Sequence, residues 1–199
     1  MIPPKTLLGA YTRGIFPMAE DGQLYWFSPE KRGLIPVDER FHLSRGLRKA
    51  LRKEAFDIRQ DTDFEGVMRG CSEREETWID DVILGSYCRL FLEGYAHSFE
   101  AWDEEGLQGG LYGVRVGNVF FGESMFSRKT DASKIALVSL VEWMRKEKMS
   151  LLDTQWLTEH LKQFGGYEID REDYLQVLDE ALGEEAEPFR LTGWLNFSK

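Results

Sequence analysis

Two stretches of this 199-residue chain place reactive side chains where a fold can use them together. The first is GESMFSRKTDASK at 122–134. It follows the apolar run VFF and precedes a helical pattern, so Glu123 falls where a strand ends, beside Ser124, Ser127, Arg128 and Lys134. A carboxylate there can order or deprotonate a substrate, or match a substrate ammonium group. The same residues also suit a polar loop closed by an Arg–Glu pair. The second stretch is LLDTQ at 151–155. Two leucines carry a strand inward, and Asp153 and Gln155 then follow two apart, which puts them on one side of the sheet. A carboxylate and an amide projecting together can bind an amine and a hydroxyl. Polar residues at a strand end also serve to satisfy nearby backbone.

Other chemistries lack their residues. There is no phosphate-binding GxxxxGK[ST] loop, no GxGxxG opening a βαβ unit, no HExxH and no GxSxG. His42, His97 and His160 are far apart in sequence, and the two cysteines, Cys71 and Cys88, form no CxxC pair. No metal site and no cofactor are expected, and two free thiols suit a reducing cytoplasm. The start of the chain has no apolar run typical of a signal peptide, and no stretch has the length of a membrane span. A formal charge of -10 argues against a general nucleic-acid binder. The charge is uneven, however. Residues 1–60 hold 11 Lys+Arg against 7 Asp+Glu, a net +4, which leaves -14 for the rest. A local basic surface on an acidic body suits a limited contact with nucleic acid.

The elements that must position these residues can be read from periodicity. Residues 1–40 are rich in turn formers and predict an irregular arm or small subdomain. In FHLSRGLRKALRK at 41–53, Leu43, Leu47 and Leu51 share a helical face and Ser44 can cap it. Arg45, Arg48, Lys49 and Arg52 decorate the other sides, as a solvated face or as phosphate contacts. Asp63 opens a helix with Phe64, Val67 and Met68 inward. Ile79 to Phe91 repeat with a helical period up to Gly94. Segments 96–102, 107–115 and 119–123, separated by glycine turns, predict an antiparallel meander. A helix after Asp131, a buried strand at 149–155, a short helix from Trp156, a strand near Ile169 and a helix after Asp170 complete an α+β core. The apolar end, FRLTGWLNFSK, is expected to dock on the body.

The chain resembles the leucyl/phenylalanyl-tRNA–protein transferases. The resemblance is carried by YTRGIFP at 11–17, YWFSPEKRG at 25–33, the basic segment 41–53, ETWID at 76–80, GYAHSFEAW at 94–102, GGLYGV at 109–114, FFGESMFSRKTDASK at 120–134 and LLDTQ at 151–155. It is collinear over nearly the whole chain, and GESMFSR with a downstream DxQ is its most specific part. It implies a GNAT-like C-terminal domain with an antiparallel or mixed sheet at 61–199, after a small N-terminal unit at 1–60. It implies transfer of leucine, phenylalanine or sometimes methionine from aminoacyl-tRNA to proteins that begin with arginine or lysine, marking them for degradation.

Carried over by position, Glu123 matches the glutamate at the reacting end, and Asp153 and Gln155 match the pair that handles the attacking amine. Trp78 matches an aromatic near the terminal adenosine. Phe120, Ser124 and Met125 match the segment that shapes the amino-acid pocket. Two substrate-binding positions depart from the family pattern: Met18 stands where tryptophan is common, and Thr158 where asparagine is common. Two other readings share part of these features. A GNAT-like acyl-CoA N-acyltransferase would need a glycine-rich phosphate cradle where this chain has SRKTDAS. A non-catalytic module binding the tRNA end would need the basic helix without Asp153 and Gln155.

Overall fold

The computed structural model describes residues 1–74 and 77–183. Helix α1 (Pro4–Tyr11) starts on a proline, which suits a first helical turn, and buries Leu7, Leu8 and Tyr11. Strands β1 (Phe16–Glu20) and β2 (Gln23–Phe27) form a hairpin. Its two loop residues, Asp21 and Gly22, both have positive φ, the conformation of a tight hairpin turn. The first forty residues are therefore more regular than their turn formers suggest, and β3 (Lys31–Ile35) follows the hairpin directly.

Helix α2 (Arg45–Arg52) is capped by Ser44, whose side chain accepts from the Leu47 amide, and it buries Leu47. A short strand, β4 (Asp57–Gln60), precedes α3 (Phe64–Ser72), which Asp63 caps. Helix α4 (Asp81–Leu92) is capped by Asp80. The meander is β5 (Ala96–Asp103), β6 (Gly106–Val116) and β7 (Val119–Ser127). Then come α5 (Ala132–Lys146), β8 (Leu151–Gln155), α6 (Glu159–Lys162), β9 (Tyr167–Asp170) and α7 (Arg171–Leu182). The expected C-terminal docking segment lies outside the described residues.

Among the described residues, seven strands form one mixed sheet in the order β4-β5-β6-β7-β8-β3-β9. Two of them, β3 and β4, come from the first sixty residues, so the sheet draws on both sides of the expected boundary at 60/61. Apolar side chains pack on both faces. One core gathers Leu7, Tyr11, Phe64, Met68, Tyr87, Phe121 and Tyr174. The other gathers Phe99, Phe120, Leu137, Leu140 and Phe164. Among the described residues the only parallel pair is β7 with β8, with α5 as its crossover, and the two are in register only from Val119↔Leu151 to Phe121↔Asp153. Beyond that point they separate, opening a gap in the sheet. Among the described residues no helix is long and apolar enough to cross a membrane.

Candidate active site

The gap between β7 and β8 is a cavity of about 570 Å³. Gly122, Glu123, Ser124 and Met125 form one wall, and Leu152, Thr154 and Gln155 the other. Its inner part is apolar, with Ile35, Leu111, Leu137 and Leu140. Towards the N-terminal hairpin it is bordered by Met18, Trp78 and Trp156. The hairpin is tied to the Trp78 segment because the Ala19 amide donates to the Trp78 carbonyl at 3.3 Å.

A β-bulge aims Glu123. Tyr112 pairs with Ser124 and Gly113 with Gly122, which leaves Glu123 as the extra residue on β7. The bulge turns its carboxyl towards two tyrosines of the helical layer. Oε1 accepts from the Tyr11 hydroxyl at 2.6 Å and from Gln155 Nε2 at 2.9 Å, and Oε2 accepts from the Tyr87 hydroxyl at 3.1 Å. The Tyr11 and Tyr87 hydroxyls also share a short hydrogen bond. Burial pushes the Glu123 carboxyl up to about 7, against the hydrogen bonds from Tyr11 and Tyr87 that favour its charged form; nearby Asp153 adds to the rise and Arg32 opposes it. Burial first, and then the adjacent Glu123, hold both tyrosines well above their ordinary range, so they remain donors.

Asp153 is built differently. Of the two residues expected to project together, the structure brings Gln155 to the cavity and turns Asp153 away from it. Asp153 is fully buried and is not on the cavity wall. Its Oδ1 accepts from Arg32 Nε at 2.9 Å and from the Gln155 amide at 2.8 Å. Its Oδ2 accepts from Arg32 Nη2 and the Tyr174 hydroxyl, both at 2.6 Å. Both oxygens are committed to the protein. The cause lies at the strand end: Gln155 has φ +60, so β8 stops alternating and the two side chains diverge.

Met18, Trp78, Ser124, Met125 and Thr158 all line the cavity. Phe120 does not; it is buried in the other core, edge-on to Phe99 and Trp143, because neighbours on a strand face opposite sides. Thr158 caps α6 by accepting from the Leu161 amide at 3.3 Å. Ser124 accepts from Arg74, whose guanidinium also reaches the Met125 carbonyl at 2.6 Å. Arg128 pairs with Glu73 and not with Glu123. Arg45, Arg48, Lys49 and Arg52 stand exposed on α2, away from the cavity lining, and none pairs with a carboxylate among the described residues.

Sequence reading missed Tyr11, Tyr87, Arg74 and Arg32. Tyr11 and Arg32 lie inside the quoted stretches YTRGIFP and YWFSPEKRG, but nothing in their spacing shows that they meet β7 and β8. Cys71 is near Ser124, but burial pushes its thiol up to about 12, so it is no nucleophile. Three buried polar atoms without a protein partner among the described residues, Tyr112 OH, Thr154 Oγ1 and His160 Nε2, belong to residues lining this cavity. A ligand there meets hydrogen-bonding capacity as well as apolar surface. With the pocket lie the Glu123 carboxyl, raised to about 7, and two tyrosine hydroxyls, a set suited to proton handling.

Comparison with known proteins gives a consistent result. Residues 34–179 match the family model described as leucyl/phenylalanyl-tRNA protein transferase, and residues 1–30 match the model for that protein's N-terminal domain. A leucyl/phenylalanyl-tRNA–protein transferase of Akkermansia muciniphila is 51% identical over 92% of this chain and 98% of its own length. One of Paramagnetospirillum magneticum is 54% identical over 90% of this chain and 89% of its own. Among solved structures, the crystal structure of FemX aligns with a TM-score of 0.53 over 78% of this chain and 65% of that one, at 11% identity, a likeness of fold alone. The mixed sheet with helices on both faces is GNAT-like, as expected.

Proposed function

Since the chain belongs to the leucyl/phenylalanyl-tRNA protein transferase family, we propose that it moves leucine, phenylalanine or methionine from aminoacyl-tRNA to proteins that begin with arginine or lysine. The product is a protein marked for degradation by its new N-terminal residue, and the work is done in the cytoplasm without a cofactor. The observation that carries this reading is the gap between β7 and β8, which sets an apolar pocket beside the hydrogen-bonded Glu123–Gln155 pair.

The donor side chain fits among Leu111, Met125, Leu137, Leu140 and Leu152, a pocket for an apolar group unbranched at Cβ. The terminal adenosine lies by Met18 and Trp78, with Ser124 and Thr158 at the rim, and the acceptor stem runs to the basic face of α2. Phe120 backs the pocket from the second core.

The ester is already activated, so no covalent enzyme intermediate is needed. An N-terminal amine has a pKa of about 8, so a useful fraction is neutral at neutral pH without a strong base. Its nitrogen attacks the ester carbonyl carbon, the C–N bond forms, and the bond to the ribose oxygen breaks. The proton lost by nitrogen ends on that ribose oxygen, relayed by Glu123. Gln155 orients the amine, and Asp153 acts behind it. Positioning within one ternary complex supplies much of the acceleration.

The test mixes labelled leucyl-tRNA with peptides beginning Arg, Lys or Ala. Label is expected on the first two. Equal labelling of the Ala peptide removes the acceptor assignment, and a leucyl-enzyme that survives denaturation and later labels peptide removes direct transfer. No labelling with leucyl-, phenylalanyl- and methionyl-tRNA alike removes the reading as a whole.

A further inference from the structure

Arg32 is a fully buried guanidinium, 1% exposed, held between two aromatic rings. Three of its nitrogens donate to protein acceptors: Nε and Nη2 to Asp153, and Nη1 to the Gly14 carbonyl at 2.9 Å. Its planar group lies 4.9 Å from the Phe16 ring centre on one side and 4.5 Å from that of Tyr174 on the other. Gly14 makes this closeness possible: a Cβ there would sit 2.8 Å from the Tyr174 ring, and its φ of +70 suits only glycine well. Three separate parts of the chain thus meet at the β3 guanidinium: the loop before β1 through the Gly14 carbonyl, α7 through the Tyr174 ring, and β8 through the carboxylate of Asp153.

The Asp153 carboxylate does one more thing. Asp153 Oδ1, while held by Arg32, accepts the amide of Gln155. Gln155 has a backbone conformation that a residue with a side chain rarely adopts, so something must hold it. The turn is also pressed from below. The backbone of Trp156 and Leu157 lies so close to Gly33 that a Cβ there would meet the Leu157 nitrogen at 2.6 Å. The result is a Gln155 side chain whose Nε2 donates to Glu123 Oε1 at 2.9 Å.

We infer that Arg32 and Tyr174 are positioning residues: with Asp153 they form a buried clamp that fixes the turn at Gln155 and so aims its amide at Glu123. Neither residue lines the cavity, so neither touches substrate. The clamp also joins the two matched portions of the chain, because Arg32 lies between residues 1–30 and 34–179 and holds a group from each. A lysine in place of Arg32 keeps the charge but cannot fork across both oxygens of Asp153. A phenylalanine in place of Tyr174 keeps the ring against the guanidinium and loses only the hydroxyl.

The kinetic half of the test rests on the transferase reading; the spectroscopic half does not. Tyr174→Phe is expected to lower kcat about tenfold and Arg32→Lys about a hundredfold, with KM for leucyl-tRNA within about twofold in both. Arg32→Gln, which leaves Asp153 without a cation, is expected to fall further than Arg32→Lys. In ¹⁵N-labelled protein, the Gln155 side-chain amide signal, identified by its loss in Gln155→Met, should stand apart in the wild type. It should move towards the exposed-glutamine cluster in Tyr174→Phe and Arg32→Lys. Wild-type kcat with an unmoved Gln155 signal overturns the clamp. So does activity lost only in proportion to the folded fraction, with the signal unmoved. If the wild type transfers no amino acid, the transferase reading fails, and the Gln155 signal still decides the clamp.

Discussion

Two carboxylates sit on neighbouring strands at one cavity, Glu123 on its wall and Asp153 behind it, and their surroundings differ. Glu123 on β7 accepts from two tyrosine hydroxyls and an amide, all neutral, and its carboxyl is raised to about 7 by burial. Asp153 on β8 accepts from a tyrosine hydroxyl and a backbone amide too, but also from both arms of a guanidinium. Arg32 in turn loses charge stability to burial, regains more from Asp153, and is held above its ordinary range. One cation decides the difference. Asp153 is tied to a full counter-ion and serves as an anchor, and Glu123, held by neutral donors and raised by burial, is placed to exchange a proton.

The sharpest way to break this comparison is to neutralise each acid. Glu123→Gln is expected to lower kcat by about 10²–10⁴, the range of a lost general acid–base group, while KM for leucyl-tRNA changes little. Steady-state transfer at saturating acceptor peptide measures both. A kcat close to wild type would mean that Glu123 only lines the pocket.

Asp153→Ala should act on the fold. It leaves Arg32 charged, buried and unpaired, at a cost of about 3–5 kcal/mol, and Asp153→Ala with Arg32→Met should recover most of that. Urea unfolding compares the three proteins. If the single variant is as stable as the wild type, the pair is not an anchor.

Glu123 should also make stability depend on pH. The Glu123 carboxyl has a folded value of about 7 against an ordinary 4.5, so the native state holds its proton more tightly than the unfolded chain does. Its stabilising contribution is full below about 4.5 and lost as pH rises through about 7. Glu123→Gln carries no such loss, so its stability relative to wild type should increase between pH 5 and pH 8, by up to about 3 kcal/mol. Denaturant midpoints at those two pH values test this, and an equal margin at both would place the carboxyl in its ordinary range.

The two strands also show what a sequence reveals of such a site. The meander, α5 and β8 were legible because apolar periodicity reports burial directly, and the caps at Ser44 and Asp63 follow from side-chain chemistry. The Asp21-Gly22 turn carried a hairpin signal that the surrounding proline-rich punctuation obscured. What periodicity cannot report is a break in itself. Period two places Asp153 and Gln155 together, but the positive φ at Gln155 and the bulge at Glu123 reverse the outcome, sending Asp153 to Arg32 and Gln155 to Glu123. Long-range partners such as Tyr11, 112 residues before Glu123, have no local signature at all.

A third set of charges sharpens the contrast from the opposite side. Arg45, Arg48, Lys49 and Arg52 are exposed on α2, and among the described residues the Arg48 side chain reaches only the Leu43 carbonyl, at 3.1 Å. Charges in water are screened over about 10 Å at 0.1 M salt, unlike the two buried carboxyls. If they meet tRNA phosphates, each contact releases counter-ions and carries no base information. Replacing Arg48 and Arg52 with glutamine should then raise the apparent KM for leucyl- and phenylalanyl-tRNA alike and leave kcat unchanged. It should also lower the slope of log affinity against log salt by about 1–2, the loss of two phosphate contacts. The effect should fade at high salt, where the wild type has lost the same contacts. A salt slope equal to wild type would mean that this face of α2 is solvated and that the acceptor stem approaches the cavity by another route.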